Sequence, residues 1–194
     1  RSDYISLCYR MPSKFGRVFR AGIVNNFNDP TTVSLSVLAI DSSGKLAIAT
    51  DTLKNNLKKY LNEFRLISDV YEIIDAFIAN FGIEIDVKID KKYNKTLVRR
   101  KISNVMGEYF RINNFQIDQP ISISEVYSII YNLEGVSEIL NLSLFENVGV
   151  KNGKTYSNFT YSINERRKDG QFFPPKGGMF ELKFPQNDIL IGVR

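Results

Sequence analysis

The sequence contains no histidine and a single cysteine, Cys8. A lone cysteine excludes an internal disulfide framework and a metal site built from several cysteines. The absence of histidine removes the commonest general base, the commonest metal ligand and every Ser-His or Cys-His nucleophile. Carboxylate, lysine and tyrosine chemistry stays open, so these absences disfavour catalysis without excluding it. We expect no enzyme, and no catalytic, cofactor-binding or metal site.

Long apolar runs are missing as well. No stretch approaches the roughly 18 consecutive apolar residues of a membrane span, and no signal region follows Arg1. The chain begins without an initiator Met, so we expect a piece of a longer protein. Its 43% hydrophobic and 24% charged residues are typical of a folded domain, and its net charge of +5 is mild.

The spacing of apolar residues predicts the secondary structure of the first half of the chain. Residues 32–40 alternate as a half-buried strand, and Asp51 and Thr52 are candidate caps of a helix that runs to Phe64. Strict alternation from Ile73 to Ile89 predicts one long strand, or two strands joined at a bend near Gly82. A run of about 55 Å, at roughly 3.3 Å per residue, is too long for one small sheet. We therefore expect this strand to couple two compact units.

The second half begins with two helices. Asn94 caps a helix with Leu97, Val98, Ile102 and Met106 inward, and the pair Ser122 and Glu125 forms a capping box for the next. The stretch "VSEILNLSLF" then predicts a strand with Leu140 in phase with Leu142. After it the sequence turns aromatic and rich in Gly and Pro, with no predicted helix. This pattern divides the chain into 1–80, a first α/β unit incomplete at its N-terminus, 81–147, a second α/β unit, and 148–194, a C-terminal β tail.

Two groups of charges are candidate sites of chemistry. Glu63, Arg65 and Asp69 offer an acid, an anion clamp and a base, but the same residues suit a helix end and an exposed corner, which we favour. Glu84, Asp86 and Asp90 follow one strand face and suit acid-base or metal work. Lys88 lies among them, so an exposed strand face is the simpler interpretation.

Basic clusters at Arg99–Lys101 and Arg166–Lys168 are candidate binding surfaces. The first is typical of a solvated helix face. The second lies among aromatic residues, which suits single-stranded nucleic acid or a protein partner, and the neighbouring Glu165 and Asp169 favour a protein. We predict an interface formed by Tyr161, Arg166, Arg167, Phe172, Phe173, Phe180 and Phe184.

Four stretches carry a resemblance to a known family. In chain order they are "RMPSKFGRVFRA", "LKKYLNEFRLISD", "NLEGVSEILNLSL" and "GGMFELKFPQNDI". Together they resemble the C-terminal region of the baseplate wedge protein of contractile-tailed bacteriophages, in the J-like baseplate family. The part of that protein that helps form the helical core bundle of the wedge is absent here.

The resemblance implies a fold and a role. The fold is α+β, with two small split βαβ (ferredoxin-like) units in tandem linked by a long strand and followed by an extended β-hairpin tail. The role is that of a structural protein of the virion, located in the tail baseplate and assembled in the host cytoplasm. Copies pair, join other baseplate wedge subunits and close a ring around the central hub that rearranges on sheath contraction. No catalytic residue, cofactor, nucleic acid, membrane or small-molecule substrate is implied.

One alternative of another class is a single-stranded nucleic-acid-binding module with a ferredoxin-like fold. No stretch of the sequence matches the RNP1 pattern of such modules. A small enzyme that uses lysine, tyrosine or carboxylates is the third hypothesis. If assembly is the function, we expect removal of 159–194 to weaken it and to leave both α/β units folded.

Overall fold

A computed structural model describes residues 2–25, 32–64 and 70–194 of the chain. The chain divides into two compact units. Unit 1 comprises Arg1–Ile78, Gln116–Asp118 and Lys176–Met179, and unit 2 comprises Ala79–Phe115, Gln119–Pro175 and Phe180–Arg194. The predicted α+β class is confirmed, whereas the ferredoxin-like detail stays a prediction. No helix in these described ranges is long and apolar enough to cross a membrane.

Unit 1 is a four-stranded sheet with two helices. Its elements are α1 (Ser2–Arg10), β1 (Arg20–Asn25), β2 (Thr32–Ile40), β3 (Leu46–Ile48), α2 (Asp51–Asn62) and β4 (Val70–Asp75). Strand β2 pairs antiparallel with β1 and β3 and parallel with β4. Because parallel neighbours need a crossover, α2 connects β2 and β3 to β4 as a βαβ unit.

The core of unit 1 follows from apolar spacing. Leu53, Leu57 and Leu61 recur at helical spacing on α2 and are buried, and they pack in one cluster with Leu35 and Val37 of β2. The helix begins one residue earlier than the sequence predicts. Its cap is Thr50, whose hydroxyl accepts a hydrogen bond from the Leu53 N–H at 3.2 Å.

The predicted long strand is two strands. It breaks at Ala76, between β4 and β5 (Phe77–Ile89), and each part belongs to its own sheet. The predicted position of the bend, near Gly82, is wrong, because Gly82 lies inside β5. A Cβ on Gly82 would lie 2.3 Å from the Phe145 ring and 2.8 Å from the Asp188 carbonyl oxygen. Close packing, not a bend, accounts for this glycine.

Unit 2 contains most of the remaining elements. They are α3 (Lys95–Tyr109), β6 (Ile121–Ser122), α4 (Ile123–Tyr131), β7 (Val136–Glu146), β8 (Val150–Lys151), β9 (Lys154–Thr155), β10 (Arg167–Lys168), β11 (Gln171–Phe172), β12 (Gly178–Glu181), α5 (Pro185–Asp188) and β13 (Ile189–Val193). The main sheet has the order β12–β5–β13, with β7 also paired to β5. Smaller ladders join β8 to β9 and β10 to β11 to β6.

The two longer helices of unit 2 pack on the main sheet, α3 against β13 and α4 against β7. The Asn94 cap and the Ser122 cap are confirmed. Val98, Ile102 and Met106 are buried on α3 as predicted, but Leu97 is exposed. Leu97 lies in the first turn of the helix, beside its cap, where the sheet does not cover it.

Strand β7 is irregular where it meets β5. Asp86 pairs with Asn141 and Val87 pairs with Ile139, so Leu140 is left over in a β-bulge. The bulge explains why Leu140 is exposed although the alternation places it in phase with Leu142. A bulge shifts the phase by one residue, which a strict period of two cannot anticipate.

Most of the expected C-terminal β tail is part of unit 2, and Lys176–Met179 belongs to unit 1. Strand β13 pairs parallel with β5 from Ile189 opposite Ile83 to Val193 opposite Val87. Because β5 is the central strand, the tail completes the sheet. A short helix, α5, also lies where no helix was predicted, with Pro185 at its first turn.

Candidate functional site: a buried polar network and an exposed basic hairpin

Of the first candidate group, only Glu63 lies within the described residues, and Arg65 and Asp69 lie outside them. Glu63 is exposed at the end of α2 and lines an open surface cleft of about 450 Å³ with Lys14, Phe15, Lys59 and Tyr60. A cleft bordered by exposed side chains lacks the dry walls that perturb catalytic groups.

The strand carboxylates are only partly brought together. Glu84 and Asp86 lie on one face of β5 with Lys88, and the Ser143 hydroxyl donates to Glu84 at 3.5 Å. Lys88 contacts Glu138 at 3.8 Å. Asp90 lies past the strand and accepts from the Lys92 N–H at 3.1 Å. Within the described ranges, no group of three potential ligands has the geometry to hold a metal ion.

A buried carboxylate forms the centre of a network that sequence reasoning missed. Asp188 is 2% exposed. Its Oδ1 accepts hydrogen bonds from the Tyr156 hydroxyl at 2.6 Å and the Asn147 amide at 3.1 Å. Its Oδ2 accepts from the Phe184 N–H at 2.7 Å. A buried carboxylate is tolerated when its lone pairs are filled. The Asn147 and Tyr156 donors hold α5 to the segments that follow β7 and β9, and the Phe184 N–H lies at the start of α5 itself.

Asn80 forms a second part of this network, at the start of β5. Its amide donates to the Glu181 carboxylate at 2.7 Å, and its side-chain oxygen accepts from the Ser157 N–H at 2.6 Å. Its carbonyl accepts from the Asn147 N–H at 3.0 Å. Asn80 thus fixes residues distant in sequence to one end of the central strand. Asn80 has an even number in the alternating stretch, whose even-numbered residues are predicted to face solvent. Nothing in the neighbouring sequence distinguishes it from Glu84.

Two tyrosines of the tail carry strongly perturbed hydroxyls. Burial raises the pKa of Tyr156 above its usual range, and the hydrogen bond to Asp188 raises it further. Burial, followed by the charge of Glu146, raises the pKa of Tyr161. The Tyr161 hydroxyl has no hydrogen-bond partner in the described part of the chain. Both groups stay protonated at neutral pH, and both side chains are buried.

The predicted interface residues fall into two groups. Tyr161, Phe172 and Phe180 are buried, and Phe180 packs against Phe81 and Tyr161 with ring centroids 5.6 Å and 5.9 Å away. Phe184 is half-buried, with its ring 5.3 Å from that of Tyr156. These aromatic residues fill unit 2 and are not presented to a partner in this conformation.

The exposed members are Arg166, Arg167 and Phe173. Arg167 and Lys168 form β10, which pairs with β11 in a two-residue hairpin. Asp169 and Gly170 at its turn both have positive φ, as a type I′ turn requires. The sequence "DG" is the usual signal for this turn.

The hairpin is anchored on its inner side. Phe172 of β11 is buried opposite Ile121 of β6, and the Ile123 N–H donates to the Gly170 carbonyl at 3.0 Å. Arg166, Arg167 and Lys168 therefore lie on a fixed support and face solvent. We name residues 166–173 the basic hairpin.

Comparisons with known proteins give a likeness in fold. The sequence matches no protein-family profile and no curated protein. Among solved structures, the chain is similar to a chain of the structure described as "Cryo-EM structure of the anti-feeding prophage (AFP) baseplate, 6-fold symmetrised", with a TM-score of 0.52 and 9% sequence identity. The match covers 74% of this chain and 32% of that chain. This chain therefore spans about a third of its structural neighbour, with which it shares a fold.

Proposed function

We propose that this chain is a structural subunit of the baseplate of a contractile-tail particle. The observation that carries the proposal is the fold shared with a chain of the prophage baseplate over 74% of the sequence. In this role the chain belongs to a baseplate wedge. It joins neighbouring wedge subunits into a ring around the central hub, and the ring rearranges when the sheath contracts. Its location is the virion, and its partners are copies of itself and other wedge subunits.

The internal construction of unit 2 suits a part that transmits force. The chain ends in a strand beside the central strand, and the Asp188 and Asn80 bonds tie the tail to the sheet. Buried polar groups that are fully hydrogen-bonded rigidify the structure around them. A subunit that transmits force needs such long-range ties more than it needs a cleft.

The basic hairpin supplies an assembly surface. Its two arginines offer planar donor groups that bind carboxylates in pairs of hydrogen bonds, and Phe173 adds an exposed aromatic anchor of the kind enriched in interfaces. The predicted interface narrows to Arg166, Arg167 and Phe173. Its partner is an acidic surface of a neighbouring wedge subunit.

The test is incorporation into the baseplate. A triple variant, Arg166→Glu, Arg167→Glu and Phe173→Ser, should reduce co-purification of the chain with the other wedge subunits at least about tenfold, as loss of interface anchors does. The matched control is Arg99→Glu with Arg100→Glu, which reverses the same number of exposed charges on α3. Equal incorporation of both variants would reject the basic hairpin as the contact, and no co-purification of the unaltered chain would reject the baseplate role.

No observation favours the nucleic-acid alternative over a protein partner. The open part of the β5 face carries Glu84 and Asp86, which repel phosphate, where a ferredoxin-like binder needs stacking aromatics. A titration with single-stranded RNA across salt concentrations separates the two ideas. Sub-micromolar affinity with a steep salt dependence would favour the alternative.

A further inference from the structure

Helix α4 presents an unusual outward stripe. Ser124, Tyr127, Ser128 and Tyr131 recur at helical spacing and are all exposed. The rings of Tyr127 and Tyr131 are 42% and 53% exposed and stack on each other at 6.1 Å with 12° between their planes. Stacked tyrosines on a helix surface are rigid and large, and tyrosine is enriched at the centres of interfaces.

The stripe differs from the outer faces of the other long helices in its charge. Helix α2 turns Lys58 and Lys59 to solvent, and α3 turns Arg99, Arg100 and Lys101. Two copies of either of those faces would repel each other. The α4 stripe carries no charge, so two copies of it can meet without a like-charge penalty.

A free strand edge lies beside the same helix. Helix α4 packs against β7, and within the described residues β7 is paired on one side only, with β5. Its 11 residues leave a row of backbone donors and acceptors open to a further strand. Leu140 is exposed in this strand, and the nearby Glu138 is balanced by Lys88 at 3.8 Å.

We propose that the α4–β7 edge of unit 2, defined by the α4 stripe and strand β7, is a homotypic interface that binds a second copy of this chain. Strand β7 of one copy pairs antiparallel with β7 of the other, and the two α4 stripes face each other across the two-fold axis. The inference rests on the proposed function, because it assigns the surface through which copies of the subunit meet.

A second copy is the occupant that the charges favour. A two-fold contact sets each residue against the same surface of its partner, so a charged patch disfavours it and a neutral patch permits it. Antiparallel pairing of identical edges also lets the N–H and C=O groups of each strand satisfy those of the other.

Site-specific crosslinking tests the geometry. Ser128→Cys places a thiol in the middle of the stripe, and the native Cys8 does not compete because it is 1% exposed. With a short bismaleimide, the intact chain carrying this change should form a covalent dimer. Asn104→Cys, at an exposed position of α3, is the matched control and should stay monomeric. Equal crosslinking of both variants would overturn the proposal.

Disruption provides a second measurement. Tyr131→Lys, or Asn141→Lys in β7, should weaken the dimer in sedimentation equilibrium by about tenfold or more, as loss of an interface anchor or a lysine on an edge does. Asn104→Lys adds the same charge on α3 and should leave the dimer unchanged. An unaltered chain that stays monomeric at high concentration, or a dimer that neither change weakens, would overturn the inference.

Failure of this inference is distinguishable from failure of the proposed function. If the α4–β7 variants leave self-association intact while the basic hairpin variant abolishes incorporation, the baseplate role stands and the homotypic interface does not. If Tyr131→Lys instead abolishes binding to a different wedge subunit, the occupant is that subunit, and the pairing of copies is overturned.

Discussion

The hydroxyl of Tyr161 is buried without a hydrogen-bond partner in the described part of the chain. A buried polar atom that has lost its water costs roughly 1–3 kcal/mol. Tyr161→Phe keeps the ring and removes this atom, so we expect the free energy of unfolding to rise by about 1 kcal/mol. Urea denaturation followed by circular dichroism measures the change.

Tyr156 provides the control for that substitution. Its hydroxyl donates to Asp188 at 2.6 Å, so Tyr156→Phe leaves a buried carboxylate with one donor fewer. We expect the free energy of unfolding to fall by about 1–2 kcal/mol. Effects of the same sign for the two substitutions would contradict this account of the network.

Because the Cys8 thiol is buried, we expect the folded chain to lose stability at alkaline pH. Burial raises the pKa of its thiol to about 12 from the model-compound value of 9.0. The folded thiol therefore stays protonated where the unfolded thiol ionises, which favours unfolding. Stability is unaffected below pH 9 and falls as the pH rises towards 12, by at most about 1.4 kcal/mol per pH unit.

The measurement compares urea unfolding at pH 8 and pH 10.5 for the native chain and for Cys8→Ala. The variant should lose less stability between the two pH values, and the raised pKa values of the tyrosines account for what it still loses. Any cavity left by the missing sulfur lowers both values equally. Identical pH dependence in the two chains would show that the thiol does not titrate as described.

At the scale of the element, we expect replacement by alanine to have opposite effects on stability at two glycines of unit 2. Gly82→Ala in β5 would place a methyl group 2.3 Å from the Phe145 ring, and forced overpacking lowers the free energy of unfolding by about 1–3 kcal/mol. Gly107→Ala in α3 meets nothing closer than Pro185 at 3.8 Å. It should raise that free energy by about 0.5–1 kcal/mol, because alanine favours the helix.

Thermal unfolding of the two variants measures these changes in one experiment. A Gly82→Ala chain as stable as the native protein would mean that the Phe145 ring moves aside at little cost. A destabilised Gly107→Ala chain would mean that α3 packs more tightly at that position than the 3.8 Å clearance indicates.

Elements whose signals are local were predictable from the sequence. The Asn94 and Ser122 caps and the inward Val98, Ile102 and Met106 of α3 follow from helical spacing and local side-chain chemistry. The break at Ala76 was not predictable, since the apolar residues of β4 and β5 keep the same parity across it. The bulge at Leu140 was missed for a related reason, because a strand's register is set by its partner.

At the scale of the whole molecule, the structure changes the expected effect of truncation. Removal of 159–194 would delete β12 and β13 from the main sheet and Asp188 and Glu181 from the polar network. We therefore expect the truncated chain to lose the folded state of unit 2, so that its failure to assemble would report unfolding and not a lost contact.

Hydrogen exchange tests this expectation. Backbone amides of β5 should be protected in the intact chain and should exchange rapidly after truncation, because β5 loses its pairing with β12 and β13. Protection that survives truncation would contradict it and would restore the tail as a separable segment. The basic hairpin variant, whose altered side chains are exposed, should keep native protection and is the control.

The candidate site was less predictable than the fold, because its residues bond to partners that are distant in the sequence. Asn80 and Glu181 bond to each other across 101 residues, and no pattern within one element signals such a pair. The aromatic residues of the tail were predicted as interface residues, but Phe172 and Phe180 are buried within unit 2. Their exposed neighbours, Arg166 and Arg167, are the part of the prediction that stays open to a partner.

The parallel pairing of β13 with β5 also has a consequence for biosynthesis. The paired residues Ile83 and Ile189 lie more than a hundred positions apart in the sequence, and β13 is synthesised after every other strand of the main sheet. The sheet cannot close until β13 has left the ribosome, whereas β1, β2 and β3 find one another early. A product terminated before β13 would thus display an unfinished sheet to proteases and chaperones, so the cell has a means of removing incomplete chains.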